Sequence, residues 1–200
     1  MELSLGQNRL SGPIPRSFGE AIVNLLDLSR NRLTGDASFL FGSNKTALET
    51  IYLNHNHFKF DFSNVDLPMG IRDLNIQHNE LYGSLPKRLA QPPLWNDSDL
   101  PPAQACQARQ HRPQQVPLWR PFAPLQFGKN KTMLELTKLD HNNLKFDFSN
   151  LDLPMGISTL DISHNETYGS LPKLLGQLPL QSINVSYNNL CGMIPTGRRL

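Results

Sequence analysis

Apolar side chains recur along this chain at fixed distances in front of a series of asparagines. Positions eight, five and three residues before Asn31 are Val23, Leu26 and Leu28; before Asn56 they are Leu48, Ile51 and Leu53; before Asn79 they are Ile71, Leu74 and Ile76. The same spacing gives Leu134, Thr137 and Leu139 before Asn142, then Ile157, Leu160 and Ile162 before Asn165, and Leu180, Ile183 and Val185 before Asn188, with Thr137 as the one departure. Asn8 belongs to the same series, and wherever the chain is uninterrupted these asparagines stand 23 to 25 residues apart. Two residues after each asparagine another apolar side chain follows (Leu10, Leu33, Phe58, Leu81, Leu144, Leu190), except at Thr167. The apolar pair at minus five and minus three has the period of a strand with one face buried, and it predicts a short strand in every repeat.

A repeat of this length and spacing predicts a leucine-rich repeat solenoid: a right-handed superhelix of the α/β type, with a parallel β-sheet on its concave side and short 3₁₀, irregular and β segments on the convex side. One such strand is too small to bury its own apolar face, so neighbouring repeats must stack to make a core. The asparagine amide is suited to bond backbone groups left open where the chain turns off the strand. Asn8, Asn31, Asn56, Asn79, Asn142, Asn165 and Asn188 are therefore expected to form a ladder. After several strands comes Gly-x-Ile/Leu-Pro, at Gly12–Pro15, Gly83–Pro86, Gly169–Pro172 and Gly192–Pro195. There glycine permits a turn, and proline fixes an extended segment across the coil.

This Leu-x-x-Leu-x-Leu-x-x-Asn-x-Leu-x-Gly-x-Ile-Pro form resembles the plant extracellular subtype of the repeat. The stretch from Leu26 to Gly42, with its Asp-Ala-Ser-Phe-Leu-Phe-Gly variant of the turn, and the stretch from Ile183 to Pro195 are similar to late repeats of polygalacturonase-inhibiting proteins. The resemblance covers about five-sixths of the chain. It implies a secreted protein of the apoplast and cell wall, acting in plant defence, that binds fungal endopolygalacturonase and occludes its substrate cleft. It further implies a protein partner, contact with pectin, no cofactor and no catalysis by the chain itself. A receptor-like ectodomain fragment that binds a peptide or wall ligand, and a non-functional truncated duplicate, are the alternatives.

Residues 41 to 95 and 127 to 181 are near copies, offset by 86 positions and identical at about two-thirds of sites. Between them the chain is rich in proline and glutamine and loses the repeat spacing. The predicted organisation is a block of four repeats over 1–94, an irregular or disordered insert over 95–126, and a block of three repeats over 127–200. An intron read through or a frame-shifted segment would give the same composition in the insert. The family's cysteine-rich caps and a secretory signal are not visible in the sequence, which predicts marginal stability from exposed core ends.

A formal net charge of +2 gives no reason to expect nucleic acid as a partner, and no apolar run reaches the length of a membrane span. There are two cysteines, Cys106 and Cys191. The resemblance implies that Cys191 pairs with a cysteine of the missing cap. Pairing with Cys106 and a free thiol remain as alternatives, and the free thiol is the favoured expectation.

The sequence holds no phosphate-binding glycine loop, zinc-type cysteine pair, His-Glu-x-x-His or nucleophile elbow. Asn54-His-Asn-His57 is explained by Asn56 as a ladder residue, so no metal ligand is assigned. One residue before each ladder asparagine stand Gln7, Arg30, His55, His78, His141, His164 and Tyr187. At strand spacing, His55 beside His78 and His141 beside His164 should form two short columns, and their protonation in a mildly acidic wall would make partner binding depend on pH. The remaining outward strand positions are Asp27, Ser29, Tyr52, Asn54, Asn75, Gln77, Lys138, Asp140, Asp161, Ser163, Asn184 and Ser186. Together with Arg30, the four histidines and Tyr187 they make up the expected contact strip. Asn44 and Asn130 are candidate glycosylation sites in matching loops, whereas Asn165 carries a sequon but should be occupied in the ladder.

Overall fold

The computed structural model describes residues 1–86, 134–151, 153–154, 156–172, 175–176 and 178–194. Within them the chain winds as a solenoid whose turns each give a strand to one continuous parallel sheet. The strands are β1 (Glu2–Ser4), β3 (Leu25–Asp27), β5 (Thr50–Tyr52), β7 (Asp73–Asn75), β9 (Leu136–Lys138), β11 (Thr159–Asp161) and β13 (Ser182–Asn184), paired in that order. The register places Leu3, Leu26, Ile51, Leu74, Thr137, Leu160 and Ile183 in a single row through the middle of the sheet. This is the parallel leucine-rich repeat architecture that the spacing predicts.

The minus-eight, minus-five and minus-three side chains from Val23 to Ile162 are all buried. Full burial of each such Leu or Ile side chain favours the fold by roughly 1.5–3 kcal/mol. Towards the ends of the described coil the burial weakens: Leu3, Leu5, Leu180, Ile183 and Val185 are half-buried, and Leu10 is 42% exposed.

Across the coil from the main sheet lie shorter parallel pairings. β2 (Ser11–Pro13), β4 (Arg32–Gly35) and β6 (His57–Phe58) form one group; β8 (Tyr82–Gly83) pairs with β10 (Asn143–Leu144), and β12 (Tyr168–Gly169) pairs with β14 (Asn189–Leu190). Short 3₁₀ turns at Arg16–Glu20, Ser38–Leu40, Phe62–Asn64 and Phe148–Asn150 complete the turns. In the last two, the Asp61 and Asp147 carboxylates accept the Ser63 and Ser149 amides at 3.0 and 2.9 Å, capping the turn and directing Phe62 and Phe148 into the core. Gly83 and Gly169 sit at φ +87° and +91° beside those same carboxylates, where an added Cβ would collide with Asp61 or Asp147.

The insert expected over 95–126 lies outside the described residues, as do the flanking ends of both blocks. The described parts of the two blocks share one sheet. β7 pairs directly with β9, Asp73 opposite Leu136 and Asn75 opposite Lys138. The main-chain amides of Ile76 and His78 donate to the carbonyls of Lys138 and Asp140, both at 3.0 Å. The favoured expectation for Cys191, a free thiol, is corrected: Cys191 is disulfide-bonded. Cys106 lies outside the described residues.

Candidate functional site

Strand geometry turns alternate residues away from the core and lines them up, one per repeat, on the outer face of the sheet. Four columns result. The first is Leu25, Thr50, Asp73, Leu136, Thr159 and Ser182. It was not among the sequence-predicted contact positions, although the alternation, continued one step before the central leucine, points to it. Its members are half-buried or exposed and extend the face by a full column.

The second column is Asp27, Tyr52, Asn75, Lys138, Asp161 and Asn184, all partly exposed. Its acids and amides bond locally as well. Asp27, Asn75, Asp161 and Asn184 each accept the main-chain amide two residues on, at 2.8, 3.4, 3.0 and 3.2 Å. The chain leaves the strand here, so a short side-chain acceptor satisfies an amide that the sheet no longer uses. Asp27 and Asp161 thus have the same structural role as Asn75 and Asn184. Burial, with Asp73 and Asp27 nearby, raises the Tyr52 phenol above its ordinary pKa. Burial and the neighbouring Glu135 raise Asp73, against the lowering effect of Arg72.

The third column is Ser29, Asn54, Gln77, Asp140, Ser163 and Ser186, and here the expected open strip is corrected. Asn54, Asp140 and Ser163 are buried, at 8%, 7% and 2% exposure. The column runs along the line where the chain turns inward, under the larger side chains that follow it. Ser163 donates to Asp161 at 2.7 Å and lies 3.2 Å from the Asn184 amide that donates to it.

The fourth column is the most regular. His55, His78, His141, His164 and Tyr187 stack as one uninterrupted row, with ring centroids 4.3, 4.1, 4.0 and 4.0 Å apart and planes within 20° of parallel. The two short columns expected from sequence are joined, because β7 and β9 are neighbours. Every residue of the row, with Gln7 and Arg30 before it, has positive φ, between 51° and 56°. Histidine is among the non-glycine residues that enter this region more readily than most, and here the turn dictates it. Burial and the adjacent imidazoles lower the pKa of His55 and His78. These two histidines therefore resist the protonation that a mildly acidic medium would otherwise bring.

Beneath the row runs the asparagine ladder. Asn142 donates to the carbonyls of Ile76, Leu139 and Asp140 at 3.1, 3.1 and 3.2 Å, and its carbonyl oxygen accepts the Leu81 amide at 3.1 Å. Asn31, Asn56, Asn79, Asn165 and Asn188 repeat that pattern between their own neighbours, while Asn8 reaches only Leu5 and Gly6 within its own turn. Each rung locks one turn of the coil to the preceding one and holds the left-handed residue beside it. Asn165 is buried in this role. Asn44 is exposed in its loop, and Asn130 lies outside the described residues.

No metal ligand was assigned from sequence, yet the fold brings donor atoms of His78, Asp140 and His141 within 4.8 Å of one another. His141 Nδ1 lies 3.0 Å and His78 Nε2 4.0 Å from Asp140 Oδ2. The cluster joins residues 63 positions apart, so no local spacing could signal it.

Against known proteins, the family model described as Leucine Rich Repeat matches residues 1–21. The chain is 50% identical over 78 residues to polygalacturonase inhibitor 1 of Arabidopsis thaliana, covering 39% of this chain and 23% of that protein. It is 46% identical over 66 residues to the polygalacturonase inhibitor of Pyrus communis, covering 33% and 20%. The chain thus spans about a quarter or less of the length of these curated relatives. It is 38% identical over 94 residues to receptor-like protein 31 of Arabidopsis thaliana, covering 44% of this chain and 11% of that protein. Among solved structures, a plant ice-binding protein is 31% identical with a TM-score of 0.57, covering 94% of this chain and 56% of that one. The TDR receptor, at 22% identity and a TM-score of 0.63 over 97% of this chain and 27% of its own, shares the fold. The chain folds as a leucine-rich repeat solenoid, and its repeats are similar to those of plant polygalacturonase inhibitors.

Proposed function

We propose that this chain is a protein-binding module of the inhibitor kind, which uses the outer face of its main sheet to occlude the substrate cleft of a fungal endopolygalacturonase. The observation that supports it is the pairing of 50% identity to a named inhibitor with a seven-strand face whose partly exposed second column mixes acid, amide, aromatic and basic groups. Such a mixture suits recognition of another protein, and an occluding inhibitor needs no chemistry of its own. On this reading the chain is not an enzyme. It works outside the cell in the plant wall, where pectin is also within reach and Asn44 is open to a glycan. Among the described residues no helix is long and apolar enough to cross a membrane.

The test is release of reducing ends from polygalacturonate by a purified fungal endopolygalacturonase, titrated with the chain made in a secretory host. Dose-dependent loss of activity that weakens in Tyr52→Ala and Lys138→Glu supports the reading. Unchanged hydrolysis at saturating protein, with no complex on gel filtration, overturns it. A receptor-like role draws on the similarity to receptor-like protein 31. It predicts binding of a peptide or wall ligand without any effect on the enzyme.

A further inference from the structure

We propose that, of the described sequons, Asn44 alone carries an N-linked glycan, and that its first N-acetylglucosamine seats in an apolar hollow on the convex side of the coil. The described sequons are Asn44-Lys-Thr46, Asn165-Glu-Thr167 and Asn184-Val-Ser186. They differ in what Nδ2, the atom that takes the sugar, is engaged with. Asn165 Nδ2 donates to the Leu139, Ile162 and Ser163 carbonyls at 3.1, 3.0 and 3.1 Å. Asn184 Nδ2 donates to Asp161 Oδ2 at 3.1 Å and to Ser163 Oγ at 3.2 Å. Asn44 is exposed, and its carboxamide has no hydrogen-bond partner among the described residues. Its Oδ1 lies against Gly42, 2.6 Å from where a Cβ would stand, which turns Nδ2 the other way. The loop itself is fixed: the Ser43 amide donates to the Asp66 carboxylate at 3.1 Å, and the Lys45 amide to the Gly42 carbonyl at 3.0 Å.

Transfer from a lipid-linked oligosaccharide diphosphate forms the bond from Nδ2 to the sugar C1 and breaks the bond from C1 to the diphosphate oxygen. The diphosphate leaves with that electron pair, and the displaced Nδ2 proton passes to a base. This happens as the chain enters the secretory route, before it folds, so the fold decides which products can reach this structure. A sugar on Asn165 removes a buried rung of the ladder, and backbone carbonyls lose their donor. On Asn184 it breaks both side-chain bonds and stands on the outer face of the main sheet. On Asn44 it costs no bond.

Asn44 also lines a hollow of about 300 Å³ whose apolar wall includes Phe18, Ala21, Ile22 and Leu40. Ile22 is 81% exposed there, a large apolar side chain left in water. The apolar face and acetamide methyl of N-acetylglucosamine suit such a wall, while the hydroxyls on its other face stay in solvent. At the small end of ligand-sized clefts, the hollow takes one ring and leaves the branched chain beyond it outside. The glycan thereby shields Ile22.

The inference rests on the secretory location in the reading above and on nothing about inhibition. The test uses the full chain secreted from a plant host with high-mannose glycans. Peptide mass spectrometry after amidase release in heavy-oxygen water locates the sugar: on Asn44, and on neither Asn165 nor Asn184. A hydrophobic dye then reads the seating. Trimming the folded chain to its first N-acetylglucosamine leaves dye emission unchanged, whereas Thr46→Ala, which never receives the sugar, raises it, and adding Ile22→Ser removes the rise. Complete amidase release from the folded wild type gives the same rise by a second route. A bare Asn44, sugar on Asn165 or Asn184, a rise on trimming alone, or no rise on complete release overturns the proposal. A chain that carries this glycan and fails to block the enzyme overturns only the inhibitor reading, and an inhibitor with a bare Asn44 overturns only this one.

Discussion

Where both are described, the two copies of the duplicated repeat pair, 41–95 and 127–181 in sequence, adopt the same local structure yet treat their buried positions differently. Phe62 and Phe148 are both fully enclosed under matching aspartate-capped turns, and Asn56 and Asn142 make the same four rung contacts. Ile51, however, corresponds to Thr137, and Leu81 to Thr167. Thr167 places its hydroxyl 2.7 Å from Asn188 Oδ1, whereas Thr137 is completely buried with its hydroxyl unpartnered. Polar side chains at core positions are thus absorbed where a ladder asparagine is in reach and left as a defect in the middle of the sheet, where neighbours are only apolar. The outer face diverges more freely: Tyr52 becomes Lys138, Asp73 becomes Thr159, and Asn54 becomes Asp140. A scaffold that fixes backbone and ladder leaves its face open to change.

The comparison can be broken most forcefully at the shared core. Phe62→Ala and Phe148→Ala should each destabilise the fold by about 3–5 kcal/mol, since both remove a fully buried ring. Urea denaturation checks this, and a much smaller loss at one of them would show that the copies are not equivalently packed. A rung comes next: Asn142→Ala leaves several buried backbone groups without partners and should cost roughly 2–3 kcal/mol, against about 0.5 kcal/mol for Asn8→Ala at its exposed turn. Similar midpoints for the two would remove the ladder from the account.

Thr137→Val deletes the orphan hydroxyl at constant shape and should stabilise by about 1 kcal/mol, seen as a raised melting temperature. A lowered one would mean that the hydroxyl has a partner in solution. The smallest effect concerns Asp73, whose pKa is raised by burial and by Glu135. Its charged form is disfavoured in the folded chain, so folding suffers nothing from it below its ordinary value of 3.8, and stability is lost as pH rises from there through the folded pKa. Asp73→Thr, the residue found in the other copy, should therefore stabilise at pH 7 and make no difference near pH 3. A benefit independent of pH would point to packing in place of charge.

Much of the fold was legible because its signal is periodic: a buried triplet in front of each asparagine repeats whichever copy is read, and the one broken triplet, at Thr137, is where the structure has its unpartnered hydroxyl. Alternation also located the outer face. It did not give depth. Asn54, Asp140 and Ser163 alternate correctly but lie where the chain turns off the sheet, so neighbouring turns cover them. Nor could spacing join His78 to His141, because their contact depends on which strands pair after the interruption. The free thiol favoured for Cys191 failed for the same reason, since cysteine pairing is a matter of tertiary distance.

Continuity of the sheet across that interruption is what the face and the five-ring row both require. Amide hydrogen exchange read by NMR tests it at the junction. The Ile76 and His78 amides, which donate to Lys138 and Asp140, should be protected to the same degree as those of Leu53 and His55, which donate to Asn75 and Gln77 inside the first block. Exchange of Ile76 and His78 at the rate of an open edge strand, with Leu53 and His55 still protected, would contradict the account.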